Sequence, residues 1–211
     1  MLIVHHLNNS RSQRILWLLE ELGLGYEIRR YRRSSDMSAP KDLNAIHPLG
    51  KSPILEDVGE NGQRCILIET GAICEYLVER ADGRFGPNAA IDALLYRQFL
   101  HYAEGSVMPV LFALLVVSKI PILGRVATKR IQPMLDTHLD FIEWHLAARP
   151  WFAGDQISAA DVMMSFPLEA ANVRGTLAED RPAITAWLER IHARPAYINA
   201  LEKGGPYAFA A

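Results

Sequence analysis

The chain has 211 residues, of which 50% are hydrophobic and 22% charged, with a formal net charge of -2 at pH 7. That length buries a substantial core as one large or two small domains. There is no excess of basic residues to neutralise phosphates, so no DNA or RNA partner is expected. The start of the chain lacks a basic stretch and turns polar at Asn8, Asn9 and Ser10, unlike a cleaved secretory signal, and a cytoplasmic location is expected.

In chain order, residues 2–7 read as a strand, 11–22 as an amphipathic helix stopped by Gly23, and 26–31 as a second strand. After a polar loop, 40–45 reads as a short helix. Strands at 52–57 and 65–69 pair across the turn Gly59-Glu60-Asn61-Gly62, and 70–81 reads as a helix. The order is βαβαββα. A turn-rich stretch, 82–88, is followed by helical patterns alone, near 89–118, 124–147, 158–172 and 181–193. The predicted architecture is an α/β domain over 1–82, a linker at 83–88 and an all-helical domain over 89–211.

Three features of the helical half receive structural readings. Ser158-Ala159-Ala160-Asp161 has the form of a capping box, which gives Asp161 a local role at a helix start and not that of a general base. The apolar run from Val107 to Leu123 reads first as a buried helix, with an apolar pocket wall or loose membrane contact as the lesser alternatives. Bracketed by Glu104 and Lys119 and interrupted by Pro109 and Pro121, it falls short of the roughly 20 residues a span needs, so no stable membrane insertion is expected. Tyr102, Met108 and Phe112, at helical spacing, read as core residues rather than as the lining of a ligand pocket, the alternative for the same side chains.

Cys65 and Cys74 form neither a C-x-x-C pair nor a disulfide framework, and the histidines show no metal-ligand spacing, so no metal is predicted. The adjacent His5 and His6 read as strand residues facing opposite ways.

Four segments, in this order, resemble the glutathione transferases over nearly the whole chain. They are residues 6–14 (HLNNSRSQR), 48–53 (PLGKSP), 69–73 (ETGAI), and 152–155 (FAGD) through Ala160-Asp161. The resemblance is closest to bacterial and fungal members with a serine at the first strand-to-helix turn. It implies a thioredoxin-like βαβαββα domain followed by an all-helical one, glutathione as co-substrate, and a hydrophobic electrophile seated between the domains against helices near 100–118. It also implies a homodimer.

By the same resemblance, Ser10 holds the glutathione thiol as its thiolate at the start of the first helix, where exposed N–H groups favour negative charge. On the residues alone Ser10 reads as a helix cap, a reading that only the resemblance reverses, and Asn9 and Ser12 stay open as alternative partners for the thiol. Ser52-Pro53 is similar to the family's cis-proline turn, whose backbone pairs with the cysteine part of glutathione, and Lys51 is placed to meet a carboxylate. Glu69-Thr70 resembles the pair that receives the γ-glutamyl end. Glu69 would take the ammonium group, and Thr70 with the helix-start N–H groups the α-carboxylate.

The resulting expectation is conjugation of reduced glutathione to electrophilic small molecules. Glutathione-dependent peroxide reduction or isomerisation is the chemical alternative. A non-catalytic binding module is the alternative from another class, against which Ser10, Glu69 and Thr70 stand.

Overall fold

Strand β1 (Leu2–Leu7) is buried along its whole length, because it lies inside a sheet covered on both faces and so has no water-facing side to alternate toward. The computed structural model describes residues 1–88, 90–177 and 180–210. In it, four strands are ordered β2-β1-β3-β4. β1 runs parallel to β2 (Tyr26–Tyr31), with Leu2 opposite Tyr26 and Leu7 opposite Tyr31. It runs antiparallel to β3 (Ile54–Val58), which pairs antiparallel with β4 (Arg64–Leu67).

The parallel β1–β2 pair needs a crossover, which α1 (Ser12–Leu22) supplies; Gly23 ends that helix at φ 62, the left-handed conformation suited to a C-terminal glycine. Lys41–Ala45 is a single 3-10 turn, and α2 (Thr70–Arg80) follows β4. The βαβαββα order is thus present, with its middle helix reduced to that turn.

The chain sorts into two compact units, Met1–Gly86 together with His192–Ala210, and Pro87–Ile191. The return of the last segment to the first unit reflects α8 (Pro195–Gly204), a helix absent from the sequence reading. Tyr197 of α8 meets Trp17 of α1 edge to face at 5.3 Å between ring centroids. Around that contact Arg194 Nη2 donates to Glu21 Oε2 at 2.8 Å and Lys203 Nζ to Glu20 Oε1 at 2.6 Å.

The second unit contains α3 (Ala90–Tyr102), a π-helical turn (Ala103–Val107), α4 (Met108–Ser118), α5 (Leu123–Ala148), α6 (Ala159–Val173) and α7 (Pro182–His192), the last residue of which sorts with the first unit. Phe99 anchors its core against Phe152 and His145, at 4.7 and 4.5 Å between ring centroids. The capping box forms at the start of α6: Ser158 Oγ accepts from the Ala160 N–H while Asp161 accepts from the Ser158 N–H at 2.9 Å.

Two expectations for the apolar run need correction. Pro109 does not break the helix. The π turn just before it absorbs the missing N–H and the ring, so residues Asp92–Ser118 form one 27-residue helix, long and apolar enough by length and composition to cross a membrane. Nor is α4 buried all round. Met108, Val110, Leu111 and Leu114 face the core, whereas Phe112 and Val116 are exposed.

Candidate functional site

The chain leaves β1 through a turn in which Asn9 takes φ 50, a conformation tolerated by asparagine. Arg33, just after β2, secures this turn: its N–H donates to Asn8 Oδ1 at 2.8 Å and its Nε to the Asn8 carbonyl at 3.2 Å. Nothing in the sequence pattern marks Arg33 for this work, because the contact depends on the parallel register of β1 and β2.

The three hydroxyl and amide candidates at the turn then separate. Ser10 is buried, its Oγ accepting from the Ser12 N–H at 3.2 Å and lying 2.7 Å from Ser12 Oγ. It therefore serves as a local cap for the helix start, from one residue before the Arg11 that occupies the N-cap position without a side-chain bond. Ser12 is fully buried, with Oγ 2.9 Å from His6 Nδ1 and accepting from the Leu7 N–H at 3.2 Å, so it has no surface to offer a ligand. Asn9 keeps a partly exposed side chain, but its Oδ1 accepts from the Ala208 N–H at 2.8 Å.

Burial pushes the His6 imidazole down to about 4, so at neutral pH it is uncharged, and it also hydrogen-bonds the Gly204 backbone. A neutral His6 next to Ser12 can accept the Ser12 proton at Nδ1. With the Ser12 proton on His6, the Ser10 hydroxyl is left to donate its own proton, to Ser12 Oγ at 2.7 Å or to a ligand. His5 and His6 do face opposite ways: His5 meets Tyr31 and Glu56, and His6 meets Ser12.

The second segment reaches the same end of the sheet. The Ser52–Pro53 peptide bond is cis, as the resemblance implies. Because Ile54 pairs with His5 in the antiparallel register, the turn sits at the carboxyl end of β1, and Ser52 Oγ donates to the His5 carbonyl at 2.8 Å. Lys51 is exposed beside it. Gly50, at φ 55, packs so closely on Asn44 that an added Cβ would lie 2.6 Å from the side-chain amide.

β4 delivers the third segment. It ends with Leu67 opposite Leu55, at that same end of β3. Glu69 then adopts φ 66, ψ 119, a left-handed conformation costly for a glutamate, and its exposed side chain makes no cap bond to α2. The first-turn N–H groups of α2 thus have no side-chain acceptor at the N-cap. Thr70 is buried, and its Oγ1 accepts from Arg14 Nη2 at 3.3 Å. Arg14 sits fully enclosed on α1, between Gln13 and Ile15. It ties the starts of the two helices together and is the main site residue that the sequence reading missed; a charged residue next to an apolar run was its only signal.

Neither α1 nor α2 has an acidic residue within its first turn, so neither helix start is neutralised from inside the helix, a setting that favours bound anions. Cys74 offers no competing nucleophile. Burial pushes the Cys74 thiol up to about 12, and Cys65 is exposed on β4. In the second unit, Tyr102 is half-buried with its hydroxyl 2.6 Å from His138 Nδ1, Met108 is buried, and Phe112 is exposed.

The arrangement has known counterparts. Residues 10–80 match the glutathione S-transferase N-terminal domain, and residues 125–190 the glutathione S-transferase C-terminal domain. The chain is 38% identical to glutathione S-transferase 3 of Schizosaccharomyces pombe, with 96% of this chain and 88% of that protein covered. It is 37% identical to glutathione S-transferase 1 of Saccharomyces cerevisiae, covering 95% and 94% respectively. Among solved structures, a glutathione S-transferase from Actinobacillus pleuropneumoniae superposes with a TM-score of 0.85 at 34% identity, covering 99% of this chain and 94% of that one. A mixed four-stranded sheet bearing a cis-proline turn, two helix starts tied by Arg14 and Thr70, and the extent of these matches lead to one conclusion: the chain belongs to the glutathione S-transferase family.

Proposed function

We propose that the protein conjugates reduced glutathione to hydrophobic electrophilic small molecules, with Ser10 donating to the glutathione thiolate. The observation that carries this reading is the convergence of Ser10, Ser52-Pro53 and Glu69-Thr70 at one end of the sheet, where the Arg14–Thr70 bond joins two helix starts. Glutathione is a tripeptide with two carboxylates, an ammonium group and a thiol. Thr70 and the uncapped start of α2 are suited to its α-carboxylate, Glu69 to its ammonium, and Lys51 to its other carboxylate. The Ser52 backbone, turned by cis-Pro53, is suited to strand-like pairing with its cysteine.

Thiol ionisation is only part of the chemistry. A thiol with pKa about 8.5 is about 3% ionised at pH 7, and lowering it by two units raises the thiolate about 25-fold. The accompanying loss of nucleophilicity is about eightfold, leaving about a threefold gain. Most of the rate would therefore come from holding the electrophile beside sulfur and stabilising the charge that develops on it. The reading further includes a cytoplasmic location and a homodimer, and a light-scattering mass of one chain would remove the dimer.

The test is calorimetric titration of reduced glutathione near pH 7 in buffers of different ionisation enthalpy, on the wild type and Ser10→Ala. Binding with close to one proton released, and release lost in Ser10→Ala, is the expected result. Binding without release sinks the thiolate mechanism, and no binding sinks the glutathione assignment.

A further inference from the structure

Between Glu104 and Asp136 the chain contains no acidic residue, yet it carries Lys119, Arg125, Lys129 and Arg130. These cations surround the tip of the α4–α5 hairpin. At that tip the Leu123 N–H donates to the Pro121 carbonyl at 2.7 Å, around Ile122 at φ 61, ψ -68. This is the rare, strained form of the γ-turn, and it is least tolerable for a β-branched residue. Its result is an isoleucine 83% exposed, followed by Leu123 at 73% and Val126 at 57%, with Ile120 and Val116 exposed below them.

Gly124 keeps the tip narrow. A Cβ there would lie 2.1 Å from the Val117 carbonyl, so only glycine lets α5 start this close to the end of α4. A shallow groove of about 890 Å³ interleaves the two chemistries, with Lys119, Arg125 and Lys129 lining it beside Ile120, Pro121 and Ile122.

We infer that this tip docks the protein on a membrane surface rich in anionic lipid, its apolar side chains entering the headgroup boundary while the four cations meet lipid phosphates. The charge pattern selects this occupant over a second copy meeting it tip to tip. Such a two-fold contact would set cations against cations, with no acid in the segment to answer them. An anionic bilayer satisfies both chemistries at once, because apolar insertion and attraction to phosphate act on neighbouring residues. The contact is interfacial. Val107, Leu111 and Leu114 of the same helical run are buried within the protein, which leaves only the tip to enter lipid.

The experiment is co-sedimentation of the full chain with vesicles of phosphatidylcholine, alone or with about one third phosphatidylserine, at low and high salt. It compares wild type, Ile122→Ser with Leu123→Ser, and Lys129→Glu with Arg130→Glu. Each cation near such a surface is worth about fivefold in partition, so the charge-reversal pair is expected to lose at least tenfold. The serine pair is expected to lose a similar factor, with melting temperature and light-scattering mass unchanged, and wild type to be released by high salt. Failure of wild type to bind anionic vesicles overturns the inference, as does equal binding by the charge-reversal pair. A smaller mass for the serine pair also overturns it, because the occupant is then a second copy. Should the serine pair not fold, the charge-reversal pair carries the same test alone.

Discussion

Buried charge and near-charge set the behaviour of single residues at the site. His6 is uncharged when folded because burial holds its pKa near 4, whereas the unfolded chain takes up a proton below the ordinary value of 6.5. Its contribution to stability is therefore complete above pH 6.5 and lost as the pH falls toward 4. His5 shifts in the same direction, also through burial. Urea denaturation is expected to show stability about 2 kcal/mol lower at pH 5 than at pH 7 from His6 alone, and His6→Gln is expected to flatten that slope. Equal slopes in the two proteins would show that His6 is not the titrating group. Arg14 acts through position. Arg14→Ala is expected to cost about 2–4 kcal/mol of stability, since it empties a fully enclosed site and unties Thr70. In steady-state kinetics its KM for glutathione should rise more than kcat falls, whereas a change in kcat alone would place Arg14 nearer the chemistry.

Among the elements, helix ends carry much of the specification. Asp161 accepts from the Phe152 and Ser158 N–H groups, from Ser158 Oγ and from Trp187 Nε1, so Asp161→Ala strands four buried donors together. A loss of about 3–5 kcal/mol is expected in chemical denaturation, and a loss below 1 kcal/mol would contradict this account of α6. Gly124→Ala forces the Val117 carbonyl away, and faster tryptic cleavage at Lys119 or Arg125 is the expected sign of an opened hairpin.

The elements differ in how legible they were. The capping box was readable because its spacing is local, and the βαβ start because strand and helix periods alternate cleanly there. The cis bond at Ser52–Pro53 came through the family resemblance, since an X–Pro bond by itself favours trans. Helix α8 was missed although Pro195 at its start and the glycines at its end are helix boundary signals, because its ten residues follow α7 after only a short break. The helical pattern near 89–118 already spans Pro109; the π turn that carries the helix past that proline was missed, because it has no pattern that composition announces. Ser10, Ser52 and Thr70 could be read as site positions, but the Arg14 brace and the Arg33 clamp arise only when separate elements meet.

For the molecule as a whole, the first unit is discontinuous in sequence. Trp17 and its neighbours on α1 are buried in part by Tyr197 of α8, and Glu20 and Glu21 are paired from the same segment. A chain ending at Ile191 is expected to lose the cooperative unfolding of the sheet-containing unit, read as a broadened or absent transition in its thermal melt. Retention of a sharp transition would show that α8 is dispensable. The same arrangement bears on how the protein is made. Domains generally fold as units in the order of their synthesis. Here, however, the sheet emerges first and must wait for residues 192–210 to complete its cover, whereas Pro87–Ile191 is already whole. On the ribosome the order of folding is thereby inverted: the later-made helical unit can close first, and the glutathione end of the molecule is finished last.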